Sequence, residues 1–133
     1  MTTTLQKLAG VFGVIFIVVA VLGFISPGGM AMAMEPTTGM VLGIFPVNLL
    51  HNIVHLVIGI AGIAAAGSLA RSRQFCQVFG VVLILIGVVG IFVNNPLSLI
   101  PIGGFDVVIH LVTGGILSYF GFVRATQPRP AVA

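Results

Sequence analysis

Charge is what this chain lacks most: 5% of its residues are Asp, Glu, Lys or Arg, and two residues are acidic. A soluble domain carries roughly 25% charged residues, so this chain cannot cover itself for water. That excludes a water-soluble fold and leaves an integral membrane protein. Glu35 and Asp106 are the only carboxylates, which leaves paired-carboxylate catalysis resting on two residues far apart in sequence. Five basic residues give an isoelectric point near 10.0, yet they are too few for a nucleic-acid footprint. The single Cys76 excludes an internal disulfide. A Gly-rich phosphate loop, an HExxH zinc motif and a GxSxG elbow are also missing. No enzyme is expected from these absences.

What is present is a set of four apolar runs, near Leu8–Ile25, Val47–Leu69, Phe75–Val93 and Phe105–Val123. Each is long enough to span about 30 Å of hydrocarbon. Lys7 precedes the first, Arg71 and Arg73 lie between the second and third, and Arg124 and Arg129 follow the fourth. All basic residues thus fall on one side, with Glu35 and the neutral Asn94–Gly103 loop on the other. The positive-inside rule then puts both termini in the cytoplasm. The first run followed by Ala31-Met32-Ala33 imitates a cleavable leader. It is longer than a usual leader core and resembles an internal helix, so it reads as a retained span.

That internal likeness extends through the chain. Val11–Ile25 matches Val78–Phe92 at an offset of 67 residues, and Pro46–Gly59 matches Pro101–Gly114 at an offset of 55. The difference is taken up within Ser26–Phe45, read as an enlarged outer loop. The expected architecture is an all-α, integral membrane four-helix bundle built from two parallel helical-hairpin repeats. Repeat one covers about residues 8–69 and repeat two about 75–123, in a single transmembrane domain (1–133) with a frayed tail at 125–133. Parallel repeats of this kind are related by a pseudo-two-fold axis along the membrane normal. Gly13, Ala20 and Gly23 correspond to Gly80, Gly87 and Gly90, small residues that let helices approach closely. Pro46 and Pro101 are expected at helix starts, where the missing N–H is not needed.

The matching also aligns His55 with His110 and His51 with Asp106. His51, His55 and Gly59 are four apart and stack on one helix face, as do Asp106, His110 and Gly114. Counted from Pro46 at 1.5 Å per residue, His55 lies about 13 Å into its span, near the midplane or somewhat outward. Ionisable groups at such depth normally face the bundle interior or a water-filled cavity. The expected cluster is His51, Asn52, His55, Asp106 and His110, with His51 paired to Asp106 and His55 to His110. Asn48 adds hydrogen-bonding capacity near the outer mouth.

Three roles fit those residues. They form interhelical hydrogen bonds that fix the register, line a cavity that handles a small ligand or protons, or ligate haem through His55 and His110. The bundle shows no conspicuous space for a large ring, so no cofactor is expected. Met30, Met32 and Met34 alternate in the first outer loop and put soft thioethers on one side, where Cu(I) would bind. A membrane-skimming apolar loop has the same pattern, and no metal is expected there.

The segment Leu42-Gly43-Ile44-Phe45-Pro46-Val47-Asn48, continued by Leu50-His51-Asn52-Ile53-Val54-His55-Leu56-Val57-Ile58-Gly59, resembles a bacterial membrane family. It is catalogued as domain of unknown function 4383. The resemblance runs from Leu8 to about Val123, and its specific elements are Phe-Pro-Val-Asn and His-Asn-x-x-His-Leu. It implies a small four-helix protein of the bacterial inner membrane; the sequence itself does not distinguish a plasma membrane from an internal photosynthetic one. It carries over Pro46, Asn48, His51, Asn52, His55 and Gly59 and brings no catalytic activity, substrate or cofactor. Likeness to DoxX-type four-helix proteins is architectural only. The leading expectation is a non-enzymatic protein that acts by packing, as a homo-oligomer or an accessory subunit of a larger membrane complex. The alternative is the small-ligand or proton-handling bundle. In either case the lipid bilayer is the first partner.

Overall fold

The computed structural model describes residues 3–32, 39–94, 96 and 99–123. Met34, Glu35, Arg124, Arg129 and the 125–133 tail lie outside the described residues. The first helix, α1 (Thr4–Ile25), opens with a capping box. Gln6 N donates to Thr3 Oγ1 at 3.3 Å, and Thr3 N donates to Gln6 Oε1 at 3.0 Å, satisfying two backbone donors at the helix start. Two short strands follow, β1 (Gly39–Val41) and β2 (Phe45–Val47), paired antiparallel with Val41 opposite Phe45. Leu42 and Gly43 take left-handed backbone, with φ of 54° and 73°, and turn the chain between them. The second helix, α2 (Leu49–Ala66), is capped by Asn48, whose Oδ1 accepts from His51 N at 2.8 Å. A two-residue link leads into α3 (Leu69–Phe92), and α4 (Phe105–Ser118) ends in a π-turn over Tyr119–Val123.

Four helices are therefore long and apolar enough to cross a membrane, the last counted through Val123. They pack as two hairpins, α1 on α2 and α3 on α4, with α3 also touching α1 and α2. Glycine makes both hairpins tight. A Cβ built on Gly59 would lie 2.8 Å from Gly13 O and from Ile17 N. One built on Gly114 would lie 2.8 Å from Gly80 O and from Ile84 N. Neither methyl fits against backbone at that range, so each pair of helices closes to main-chain contact. Glutamines tie each hairpin toward the end where its two termini meet: Gln6 Nε2 donates to Ala66 O at 3.1 Å, and Gln77 Nε2 donates to Gly121 O at 3.0 Å. Between the hairpins, Phe16, Ile58, Phe75, Leu83 and Leu117 form the apolar core, with Cys76 free and buried among them.

Three boundaries differ from the sequence reading. Pro46 lies inside β2, not at a helix start, and Pro101 precedes the turn that launches α4. The chain re-enters as a strand because Phe45 and Val47 pair with β1 before the Asn48 cap can start helix. The Ser26–Phe45 segment, expected as a plain loop, thus contributes β1 and its turn. Finally, α3 begins at Leu69 instead of Phe75, so Arg71 and Arg73 sit in its first turns. They share that end of the bundle with Lys7 of α1.

Candidate functional site

The start of α2 sets the depth of the site. Counted from Leu49, His55 lies about 9 Å along a helix about 27 Å long, a third of the way from its start, toward the end of the bundle that carries the β-hairpin. His51 is one turn closer to the helix start. His110 stands at a similar level, five residues into α4.

The backbones of α2 and α4 scarcely approach one another, and imidazoles occupy the space between them. The ring centroids of His51 and His55 are 4.4 Å apart, those of His51 and His110 6.3 Å, and those of His55 and His110 6.2 Å. These are all the histidines of the chain, and all are at most 6% exposed. One ring nitrogen from each lies within 4.8 Å of the other two. Phe16 of α1 closes the group from the side, its ring 5.4 Å from His55. The carbonyls of Pro46 and Pro101 face the His51 ring.

Hydrogen bonding within the group is sparse. His110 Nδ1 lies 2.7 Å from the Asp106 carbonyl oxygen and 3.4 Å from Asp106 Oδ2. A carbonyl only accepts, so Nδ1 carries the proton, and a neutral His110 ring keeps its Nε2 lone pair free. His51 Nδ1, His55 Nδ1 and Asp106 Oδ2 are buried with no hydrogen-bond partner. Among the described residues no imidazole hydrogen-bonds another.

The expected pairing of His51 with Asp106 is therefore corrected. Asp106 lies beside His110, one turn along its own helix, where its carboxylate is 3.4 Å from the ring nitrogen. His55 and His110 do face each other, with planes 27° apart, but across a gap. Asn52 leaves the cluster altogether. Its Nδ2 donates to Gly29 O at 2.8 Å, and its Oδ1 fills the space a Gly23 side chain would need. Asn48 Nδ2 likewise donates to Leu99 O at 2.7 Å, tying the start of α2 to the connection between α3 and α4. Met30 and Met32 are exposed and contribute nothing to the site.

Two cavities flank the imidazoles. One, of about 250 Å³, lies between α1 and α4, with Val19, Leu22, Ile109 and Thr113 in its walls and Val41 and Leu42 over it. The other, of about 300 Å³, lies between α2 and α3, with Val54, Ile58, Ile86 and Val89 in its walls and Leu99 and Ile102 over it. His51, His55, His110 and Leu83 line both. The second cavity had no sequence signal beyond the matched segments, because its position follows from how the two hairpins dock.

A bundle of four membrane-length helices with a buried group of imidazoles at the junction of two apolar cavities defines a multi-pass membrane protein with an internal polar centre. The chain belongs to the family described as Domain of unknown function (DUF4383), which matches residues 6–123. No curated protein and no solved structure matches it.

Proposed function

We propose that this chain is a non-enzymatic membrane-embedded binding protein, which receives a small ligand on His51, His55 and His110 between its two hairpins. One observation carries the reading: three buried imidazoles converge without hydrogen-bonding one another. A cluster kept for packing would join its rings across the helices, since an unpartnered buried polar group costs about 1–3 kcal/mol. Here the rings leave nitrogens free, which is the arrangement of a site awaiting a partner. Cavities of about 250 and 300 Å³ sit at the lower edge of the roughly 300–1,000 Å³ typical of drug-sized ligands. That size favours an ion or a small molecule over a haem.

The same reading includes the gene-doubled origin of the bundle. Gly13, Ile17 and Gly59 meet as Gly80, Ile84 and Gly114 do. The cavity walls correspond as well: Val19 and Ile109 in one match Ile86 and Val54 in the other. A pseudo-two-fold axis therefore relates the cavities and crosses near the imidazoles. Lys7, Arg71 and Arg73 at the opposite end from the site support cytoplasmic termini in a bacterial inner membrane, with the site near the outer face.

The test is chemical access. Diethyl pyrocarbonate, which acylates free imidazole nitrogens, is added to the folded protein in sealed liposomes, and modification is read by mass spectrometry. At least two of the three histidines are expected to react, without loss of the folded state. Full protection of all three would mean a closed structural cluster and would overturn the proposal.

A further inference from the structure

We infer that His51, His55 and His110 form a binding site for a divalent first-row transition-metal ion, with zinc as the best match. The inference rests on the ligand-binding reading above and names the ligand's chemistry.

Four observations carry it. The first is the donor set: three neutral imidazoles supply the nitrogen ligands that suit Zn, Cu, Ni and Fe, and three protein ligands leave a tetrahedral ion one open position. The second is spacing. Ligand nitrogens 2.0–2.1 Å from a tetrahedral zinc are about 3.3 Å apart, against the 4.8 Å that bounds the nitrogens here. Closing that difference moves each ring by about 0.8 Å or less, for zinc–nitrogen bonds of this length. The gap between α2 and α4 leaves room for the shift.

The third observation is orientation. Metal-ligating histidines almost always donate their other ring N–H to a carbonyl or carboxylate, which fixes the tautomer and aims the lone pair. His110 does this toward the Asp106 carbonyl, with the Asp106 carboxylate 3.4 Å from the same nitrogen. The fourth is charge. A dication held only by neutral ligands is costly at membrane depth. Asp106, the only carboxylate among the described residues, lies one turn from His110 and offsets one unit of that charge. A hydroxide or other anion at the open position offsets the second. The loop methionines, where no metal is expected, offer none of this, since Met30 and Met32 are exposed, more than half their surface free.

The full chain, purified in mild detergent and stripped with a chelator, is titrated with Co²⁺ and then with Zn²⁺. One Co²⁺ per chain is expected, with the visible absorption of tetrahedral cobalt, displaced by one Zn²⁺. His51→Gln, His55→Gln and His110→Gln are each expected to weaken binding by more than about 100-fold, and Asp106→Asn by about 10–100-fold, as for a partner behind a ligand. A Met30→Leu/Met32→Leu double variant is expected to bind as the unmodified chain does. A folded wild-type chain that gives no tetrahedral spectrum, or binding that survives all three histidine substitutions, would overturn the inference.

A measurement on the unsubstituted protein does not depend on the variants folding. Stoichiometric Zn²⁺ is expected to protect the histidines from diethyl pyrocarbonate. If the reagent reacts and zinc gives no protection, the metal site fails while the open chamber stands. If the reagent never reacts, the chamber fails first.

Discussion

Replacing Gly59 by alanine is expected to destabilise the α1–α2 hairpin by about 1–3 kcal/mol, the range for overpacking a tight site, and toward its upper end. The added methyl would meet Gly13 O and Ile17 N, each at 2.8 Å. Both are backbone atoms of α1, so no side-chain rotation relieves the contact and the helices must separate. Gly114→Ala is expected to cost a similar amount, because its methyl would meet Gly80 O and Ile84 N at the same distance. Gly115→Ala, one residue along α4 and open to the surroundings, serves as the control and is expected to be neutral or slightly stabilising through helix propensity. Reversible unfolding in mixed micelles reads all three. Unequal costs at Gly59 and Gly114, differing by more than about 1 kcal/mol, would count against equivalent hairpins.

The second large effect separates binding from packing. In metal-free protein, His55→Leu is expected to raise stability by roughly 1 kcal/mol or more, because it removes a buried Nδ1 that has no partner. Leucine also suits the apolar surroundings, which include Phe16 and Ile58. His110→Leu is expected to do the opposite, losing about 1–3 kcal/mol. Its ring donates to the Asp106 carbonyl, and removing it leaves the buried Asp106 carboxylate without its neighbour. If His55→Leu instead destabilises as strongly as His110→Leu, the imidazoles hold the fold together and the binding reading loses its support. The contrast matters more than either value, since both sites lie on the same chamber.

Much of the fold is legible before any coordinates are seen, and for identifiable reasons. Four apolar runs of membrane length leave little choice of class, and successive spans that cross in opposite directions are set to pack as neighbours, as α1 does on α2 and α3 on α4. The glycine columns are legible because close helix contact in lipid depends on small residues at regular spacing. Four-residue spacing puts His51 above His55, and the structure has the two rings in contact at 4.4 Å.

Other features depend on docking and cannot be read from spacing. Asp106 lies beside His110 and not His51, a pairing within one helix that the matched segments do not indicate. Asn52 shares the periodicity of the histidines, but sits where the Gly23 and Gly29 backbones offer it a carbonyl and a space to fill. The β-hairpin is the clearest omission. Gly43 between Val41 and Phe45 is a turn signal, which the surrounding apolar run conceals. That hairpin moves the helix start from Pro46 to Leu49 and leaves His55 about three residues, or about 4.5 Å, closer to it. The convergence of imidazoles needs all three rings at once, and the third comes from a helix whose placement the first two do not determine.

The most direct measurement is a density map of the purified protein with zinc supplied, resolved well enough to show side chains. The expected map has His51, His55 and His110 turned toward one another between α2 and α4, with a compact non-protein peak bonded to all three. Rings pointing into lipid, or His110 on the far flank of the molecule from the α2 pair, would contradict the shared chamber on which the account rests.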